Sequence, residues 1–155
     1  MTELDRIDKR LLVQLQRDAG QSLETLGAAV GLSRNACWRR VRRLDEAGVI
    51  RRRVAICDAE ALDLGLQVII TIRTDRHDAD WLEAFAKAVA EIPEILGAYR
   101  TSGEVDYVLR ARVASVAAYD RLYRRIIAKV PLSDITASFV MEELKETTEL
   151  PVDPF

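Results

Sequence analysis

The sequence has few of the residue types on which catalytic and metal sites are built. It contains one histidine, His77, and two cysteines, Cys37 and Cys57, in 155 residues. The cysteines form no Cys-x-x-Cys pair, which favours two ordinary thiols in a reducing compartment. No glycine-rich phosphate loop is present, and no serine or cysteine nucleophile has a partner base. We therefore expect no catalysis, no metal site and no cofactor.

Long apolar runs are also missing. No stretch approaches the roughly 20 apolar residues that span a bilayer. The N-terminus is acidic and amphipathic, unlike a signal peptide, in which a basic segment precedes an apolar one. The apolar fraction of 49% is nevertheless enough to build a core. We expect a cytoplasmic protein without a membrane partner.

The charges are distributed unevenly along the chain. Residues 1–57 carry 12 Lys and Arg against 7 Asp and Glu, whereas residues 58–155 carry 11 against 18. The overall net charge of −2 therefore hides a basic first part and an acidic second part. This asymmetry indicates two modules, of which only the first meets nucleic acid.

The basic residues are concentrated between residues 33 and 53, where eight arginines stand against two acids. Ser33 is a good helix N-cap, since its hydroxyl can accept a bond from a free N–H of the first turn. At about 100° per residue, Cys37, Val41 and Leu44 fall on one narrow stripe, which predicts a helix buried along that stripe. The arginine-rich opposite face suits a polyanion groove, with a merely solvated helix as the alternative.

Two further helices are predicted before this one. Apolar residues spaced three and four apart over residues 4–15 predict a first helix that ends at Gly20. Ser22 can cap a second helix, and Gly31 suits the left-handed conformation at its C-terminus. A helix, a short turn with glycine and a basic helix together form the helix-turn-helix pattern.

The third predicted helix carries the predicted DNA contacts. Base contacts in this motif come mainly from the N-terminal part of the second helix, so we expect Asn35, Trp38 and Arg39 to reach base edges. Trp38 has the alternative of packing on the preceding helix. Residues 49–50 are predicted to leave as an extended wing or linker strand. The predicted phosphate contacts are Arg42, Arg43, Arg51, Arg52 and Arg53, and Ser33 and Arg34 complete the DNA-binding set.

The second module alternates between strand and helix patterns. Strands are predicted over residues 66–73, 95–101, 105–113 and 135–141. Between them, one helix begins at Asp78 or Asp80 and another at Ser115, and prolines end both. The inner faces of these helices are assigned to Leu82, Phe85, Val89 and Ile92, and to Val116, Tyr119, Tyr123, Ile126 and Val130. This order is the split βαβ arrangement of ferredoxin-like sheets.

The predicted fold class is α+β. It comprises a (winged) helix-turn-helix head at residues 1–51, a linker at 52–64, a ferredoxin-like βαββαβ domain at 65–149 and a tail at 150–155. Such a sheet has helices on one face only, and its other face carries Ile69, Val108 and Val140. Self-association through this face would bury them and would space two heads near one DNA turn, about 34 Å.

Several motifs resemble a known family, in the same order along the chain. They are Leu4-Asp5-Arg6-Ile7-Asp8, Val30-Gly31-Leu32-Ser33, Leu44-Asp45-Glu46-Ala47-Gly48-Val49-Ile50, Ser102-Gly103-Glu104-Val105-Asp106-Tyr107 and Val140-Met141-Glu142-Glu143. In these the chain resembles the Lrp/AsnC (feast/famine) transcriptional regulators. The resemblance implies a regulator of double-stranded DNA, associated with the nucleoid. It also implies dimers that assemble further, often to octamers, and that sense small amino acids at interfaces between C-terminal sheets.

A narrower resemblance concerns the effector. Ala36-Cys37-Trp38-Arg39-Arg40, His77 with Trp81, Glu94-Ile95-Leu96-Gly97 and Thr147-Thr148-Glu149-Leu150-Pro151 look like the cysteine-responsive branch of the family. That branch switches on genes for cysteine desulfidation and detoxification. The resemblance therefore favours cysteine, with another small or apolar amino acid next.

The family resemblance places the effector at the turn 101–106. Backbone N–H groups around Gly103 can bind a carboxylate, and the Asp106 carboxylate can bind an ammonium group. The alternative is that both residues merely form a strand-to-strand turn. The predicted effector site consists of Thr101, Ser102, Gly103, Glu104, Val105 and Asp106, closed by Ser138, Phe139 and Val140 of a neighbouring subunit.

A rival function on the same sheet remains open. Ferredoxin-like dimers also serve as small enzymes or as amino-acid-binding modules without regulatory DNA binding. Neither would need the arginine-rich head.

Overall fold

The computed structural model describes residues 3–152, so the parts of the predicted head and tail at residues 1–2 and 153–155 lie outside the described residues. The chain divides into two compact units. The head unit comprises residues 3–56 together with 145–152, and the sheet unit comprises residues 57–144. Residues 145–149, assigned to the sheet domain from the sequence, group with the head. One reason is that the Gln16 side-chain amide bonds both the N–H and the C=O of Leu150, at 2.7 and 3.1 Å.

The head unit has three helices, α1 Arg6–Arg17, α2 Leu23–Val30 and α3 Arg34–Glu46. Each begins at a residue whose side chain accepts a backbone N–H of the first turn. Asp5 caps α1, while Ser22 and Ser33 cap α2 and α3 as predicted. These bonds satisfy donors that a helix N-terminus otherwise leaves free.

Two glycines shape the turn between α2 and α3. Gly31 has a φ of +77°, the left-handed conformation predicted for it. Gly27 is buried where the chain crosses over itself, and a Cβ there would lie 2.7 Å from the carbonyl oxygen of Leu32. The N–H of Leu32 donates to the carbonyl of Gly27 at 2.8 Å. The elbow therefore needs glycine at both positions.

The predicted apolar stripe of α3 forms part of the head core. Cys37 and Leu44 are completely buried, and Val41 is 9% exposed. These residues, together with the inner faces of α1 and α2, give the head a hydrophobic centre of its own. The core cluster consists of Leu11, Leu26, Val30, Cys37 and Val41.

The segment after α3 differs from the prediction. Residues 49–50 do not leave as an extended strand, because the N–H groups of Val49 and Ile50 both donate to the carbonyl of Leu44, at 3.0 and 3.2 Å. Gly48, with a φ of +69°, turns the chain back over the end of α3. The turn satisfies helix carbonyls that would otherwise lack donors. No wing strand is present in residues 3–65, and residues 51–58 are irregular.

The sheet unit has the predicted βαββαβ order. Its elements are β1 Leu66–Arg73, α4 Ala79–Ala90, β2 Ile95–Arg100, β3 Tyr107–Val113, α5 Val116–Ile127 and β4 Asp134–Phe139. The strands lie in the order β2-β3-β1-β4, and every neighbouring pair is antiparallel. This is the ferredoxin-like arrangement, and the α+β fold class is confirmed.

The core of the sheet unit lies between the helices and one face of the sheet. Val68, Ile70 and Ile72 of β1 are completely buried there. An aromatic cluster of Trp81, Phe85 and Tyr107 joins α4 to β3, with neighbouring ring centroids 4.6–5.7 Å apart. The indole N–H of Trp81 donates to the carbonyl of Pro131 at 2.8 Å. Apart from Phe85, Ile92, Ile126 and Val130, the predicted inner-face residues of the helices are at most partly buried.

Two predictions in the sheet unit are wrong, the inner-face position of Val116 and the extension of the fourth strand to Met141. Val116 at the start of α5 is 60% exposed, and Leu122, which is not among the predicted inner-face residues, is buried instead. Met141 is 95% exposed, because β4 ends at Phe139. The N–H of Val140 makes the last bond of this ladder, to the carbonyl of Gln67. Since β1 begins at Leu66, no further partner residue remains for Met141.

Within residues 3–152, no helix is both long enough and apolar enough to cross a membrane. The same residues contain no group of three or more His, Cys, Asp or Glu side chains arranged to hold a metal ion.

Candidate functional sites

The outer face of α3 carries the exposed side chains predicted to meet DNA. Asn35, Trp38, Arg39 and Arg42 are all exposed. Trp38 is 47% exposed and lies under the guanidinium of Arg42, which is 5.3 Å from its ring centroid. A cation–π contact of this kind holds the indole in place while leaving its outer side free. Arg42 also forms an ion pair with Glu46, at 2.7 Å.

Arg39 differs from its neighbours on this face. Among the described residues it has no ion-pair partner, whereas Arg34 pairs with Glu24 at 2.8 Å. Ser33 is the α3 cap, its hydroxyl accepting the Ala36 N–H at 3.3 Å. Arg39 and Asn35 lie four residues apart and therefore share one side of the helix. The centre of the exposed face thus presents an uncommitted guanidinium beside an amide.

Arg43, predicted as a phosphate contact, lies in a different setting. Its guanidinium donates to the completely buried carboxylate of Asp8 in α1 and is half exposed. Arg40 donates to Asp8 and to Asp5, at 2.8 and 2.6 Å. The sequence patterns gave no role to Asp8 or Arg40. An acidic residue in the first turn of α1 is a weak signal for an interhelical ion pair.

The arginine run 51–53 lies on irregular, exposed chain. Arg53 pairs with Asp45 at 3.0 Å. Arg51 and Arg52 have no ion-pair partner within residues 3–152. Exposed cations of this kind suit phosphates, which carry no sequence information themselves.

The predicted sensor turn connects β2 to β3 and is anchored at both ends. The Thr101 N–H donates to the Asp106 carbonyl at 2.9 Å, and the Asp106 N–H to the Ile72 carbonyl at 3.0 Å. One carboxylate oxygen of Asp106 accepts the Thr74 N–H at 2.9 Å. Glu104 pairs with Arg73 at 2.6 Å. Asp106 therefore has a structural bond in addition to any ligand role.

The middle of this turn is open. No hydrogen bond within residues 3–152 uses the backbone N–H groups of residues 102–105. Gly103 does not have a positive φ, and a Cβ added there would meet nothing within 4 Å. Neither the backbone conformation nor packing inside the chain explains why glycine stands at this position.

The two halves of the predicted effector site lie far apart in one chain. Phe139 pairs with Val68 near the start of β1, whereas Tyr107, just after the turn, pairs with Ile72 near its end. At about 3.3 Å per residue, these positions are roughly 13 Å apart along β1. A single subunit therefore does not bring the turn and the 138–140 edge together. A shallow groove of about 430 Å³ beside α5 is lined by none of the predicted effector residues.

The face of the sheet opposite the helices carries half-buried apolar side chains. Ile69 and Val108 lie there, as predicted, beside polar neighbours. Gln67, to which the sequence patterns gave no role, has a side-chain oxygen that is buried on this face and has no hydrogen-bond partner among residues 3–152. Arg112 next to it forms an ion pair with Glu143 at 2.9 Å. A buried polar atom without a partner is uncommon and needs an explanation.

Comparison with known proteins gives matches to both units of the chain. The family model for the AsnC-type helix-turn-helix domain matches residues 4–45, and that for the Lrp/AsnC ligand binding domain matches residues 67–150. The DNA-binding transcriptional activator DecR of Escherichia coli strain K12 is 44% identical over 151 residues, which are 97% of this chain and 99% of DecR.

Solved structures give the same answer. An AsnC family transcriptional regulator from Agrobacterium tumefaciens has a TM-score of 0.93 and 45% identity, covering 96% of this chain and 97% of its own. A transcriptional regulator from Neisseria meningitidis in complex with L-methionine has a TM-score of 0.93 and 33% identity, covering 97% and 98%. Because both units match in order and over nearly their full length, this chain belongs to the Lrp/AsnC family of transcriptional regulators.

Proposed function

We propose that the head unit recognises specific DNA sequences through the exposed face of α3. Asn35, Trp38 and Arg39 contact base edges, and Arg42, Arg43 and the run 51–53 contact phosphates. The observation that carries this proposal is the uncommitted pair of Asn35 and Arg39 at the centre of the face. A free guanidinium can bind guanine with two hydrogen bonds, and a free amide can do the same with adenine.

The test compares two arginine variants on two duplexes. One duplex is selected from a random-sequence pool by the wild-type protein, and the other is its scrambled counterpart. Arg39→Ala removes a base contact, so it should weaken the selected duplex by about 1–3 kcal/mol and leave the scrambled one nearly unchanged. Arg52→Ala removes a phosphate contact, so it should weaken both duplexes alike and flatten the slope of log K against log salt by about 0.9.

Arg124→Ala is the matched control, because Arg124 is an exposed arginine on α5 of the sheet unit. It should change neither affinity. Identical behaviour of the Arg39 and Arg52 variants would show that the proposed division between base and phosphate contacts is wrong.

We further propose that a small amino acid is the effector, with cysteine the favoured ligand. It binds at the turn 101–106 of one subunit and is covered by the edge 138–140 of a neighbouring subunit. The unused backbone N–H groups of the turn suit the ligand carboxylate. The second carboxylate oxygen of Asp106 suits its ammonium group. The methionine complex of the Neisseria relative supports an amino-acid effector, and the free space at Gly103 supports its location.

Calorimetry on the full-length protein tests this site. Asp106→Asn keeps an oxygen that can accept from Thr74 but removes the charge, so it should weaken L-cysteine binding by tenfold or more, as expected for a charge-assisted bond of about 1.5–3 kcal/mol. Asp75→Asn is the control, because Asp75 is an exposed aspartate of the loop after β1. L-methionine replaces cysteine in a parallel titration. Undiminished affinity in the Asp106 variant would remove this residue from the site.

Assembly completes the proposal. The protein forms a homodimer through the open face of the sheet, and dimers assemble further, with an octamer favoured. Neighbouring subunits would then supply the two halves of the effector site. A regulator of this kind works in the cytoplasm, bound to the nucleoid.

A further inference from the structure

Asp8 is a carboxylate with no exposure to solvent, in the first turn of α1. Charged side chains are seldom fully buried unless they are paired. Both of its oxygens are used. Oδ1 accepts from Nη1 of Arg40 at 2.8 Å, and Oδ2 accepts from Nη2 of Arg43 and from the N–H of Asp5 at 3.2 Å. Its two cationic partners both come from α3.

Asp5 extends this pairing at the surface. Its carboxylate caps α1 by accepting the N–H of Asp8, and it also accepts from Arg40 at 2.6 Å. The bond from the Asp8 N–H and the Arg40 guanidinium together hold the pKa of Asp5 below its ordinary value. The two aspartates and two arginines form a cluster, here called the acidic clamp, that carries no net charge.

The acidic clamp fixes the orientation of α3 about its own axis. Arg40 and Arg43 are three residues apart and therefore lie on one flank of the helix. Each follows directly after an outward residue, Arg39 or Arg42, and so points about 100° away from it. One buried carboxylate holds both flank residues against α1. Rotation of α3, which would turn Arg39 and Asn35 away from their base edges, would break both bonds.

The acidic clamp also neutralises part of the positive charge that α3 presents to DNA. Affinity for any duplex depends on the number of phosphates that free cations neutralise. Arg40 and Arg43 already have carboxylate partners, so they add little to this non-specific attraction. Arg43 retains only the part of its guanidinium that Asp8 does not hold.

We propose that Asp8 is a specificity-determining positioning residue, which orients the recognition helix and reduces the positive charge that Arg40 and Arg43 offer to phosphates. The proposal rests on the α3 face described above as the DNA-binding surface. Asp8 touches no DNA itself and acts through Arg40 and Arg43.

The main test is Asp8→Asn in the full-length protein, measured on the selected and scrambled duplexes over a range of salt concentrations. Removing one negative charge frees one arginine, so the salt slope should become steeper by about 0.9. Binding to the scrambled duplex should tighten. Loss of helix orientation should lower the ratio of the two affinities by roughly tenfold, the worth of one base contact.

Asp18→Asn is the matched control. It makes the same change of charge just after the C-terminus of the same helix, at an exposed position whose side chain accepts the Gly20 N–H. If Asp18→Asn lowered the ratio of the two affinities as much as Asp8→Asn does, the change in net charge alone would explain the loss of specificity, and the proposed role of Asp8 would be wrong. A purely structural role for Asp8 predicts lower affinity for both duplexes without a steeper slope, and that result would also overturn the proposal.

If Asp8→Asn does not fold, Arg40→Gln tests whether the acidic clamp determines specificity. This variant leaves Asp8 paired with Arg43, and it should lose specificity without a steeper salt slope. Circular dichroism confirms that it is folded. An unchanged affinity ratio in the folded variant contradicts the proposal. The Arg39→Ala experiment distinguishes failure of this inference from failure of the proposed DNA-binding face. If Arg39→Ala loses specificity but Asp8→Asn and Arg40→Gln do not, the DNA-binding face stands and only the role of the acidic clamp is refuted.

Discussion

Two cysteines of this chain lie in opposite environments. Cys37 is completely buried in the head core, between α3 and its neighbouring helices, and burial raises the pKa of its thiol. Cys57 is exposed. The thiolate is the reactive form of cysteine, so burial disfavours reaction both by excluding the reagent and by disfavouring the charged form.

Thiol labelling should therefore distinguish the two residues. At pH 8, iodoacetamide should modify Cys57 readily and Cys37 at a rate at least about a hundredfold lower. The reason is that Cys37 reacts only in the small fraction of molecules in which the head core has opened. Because the pKa of Cys37 is raised, its protection should persist as the pH increases toward 9. Mass spectrometry of proteolytic peptides measures both sites.

Cys57→Ser serves as the control and should take up no label while folded, whereas guanidinium chloride should expose Cys37 in both proteins. Equal labelling of the two cysteines in the native wild type would mean that the head core opens frequently.

The arginines show what a sequence can and cannot reveal about single residues. The count of eight positive residues correctly marks residues 33–53 as basic. It does not show that Arg40 and Arg43 are held by Asp8, because that pairing joins residues 32 and 35 positions apart in the chain. Periodicity describes one helix at a time. Contacts between helices depend on the angle at which they pack, which no local pattern contains.

At the scale of elements, local sequence signals were sufficient to predict the helix caps, the glycine turn and the strands. Helix caps and glycine turns act within three or four residues, so Ser22, Ser33, Gly31 and Ser115 could be assigned correctly from the sequence. Strand alternation likewise identified all four strands of the sheet unit. These features depend on hydrogen bonds and side-chain direction inside one segment, which the order of residues determines.

The errors occur where an element depends on a distant neighbour. The end of β4 is determined by the start of β1, so an apolar residue such as Met141 could not be placed from its own segment. The segment 49–50 has a strand-like sequence, but its N–H groups donate to the carbonyl of Leu44 at the C-terminal end of α3. The predicted effector site, which stays a prediction, depends on still more distant residues, since the turn and the 138–140 edge lie at opposite ends of β1. Only the family resemblance could connect them.

At the scale of the whole molecule, the face of the sheet opposite the helices bears on the proposed assembly. Ile69 and Val108 are half buried there, and the Gln67 side-chain oxygen has no donor in the described part of the chain. An uncovered apolar face of this kind is a common site of self-association. A two-fold partner would bury the apolar residues and offer polar groups to Gln67, since symmetric dimers bring the same patch together from both subunits.

A single charge on this face should prevent assembly. Ile69→Glu places a carboxylate where the partner sheet would exclude water, and an unpaired buried charge costs several kcal/mol. Multi-angle light scattering should show the wild type at a multiple of 17.5 kDa, about 140 kDa for an octamer, and the variant at or near the monomer mass. Val116→Glu is the control, because Val116 is exposed on the helix side at the start of α5, where a negative charge suits the helix dipole. It should assemble like the wild type.

Two results would refute assembly through this face: a wild-type monomer at micromolar concentration, or an Ile69 variant of full oligomer mass. Either result would also remove the neighbouring subunit from the proposed effector site.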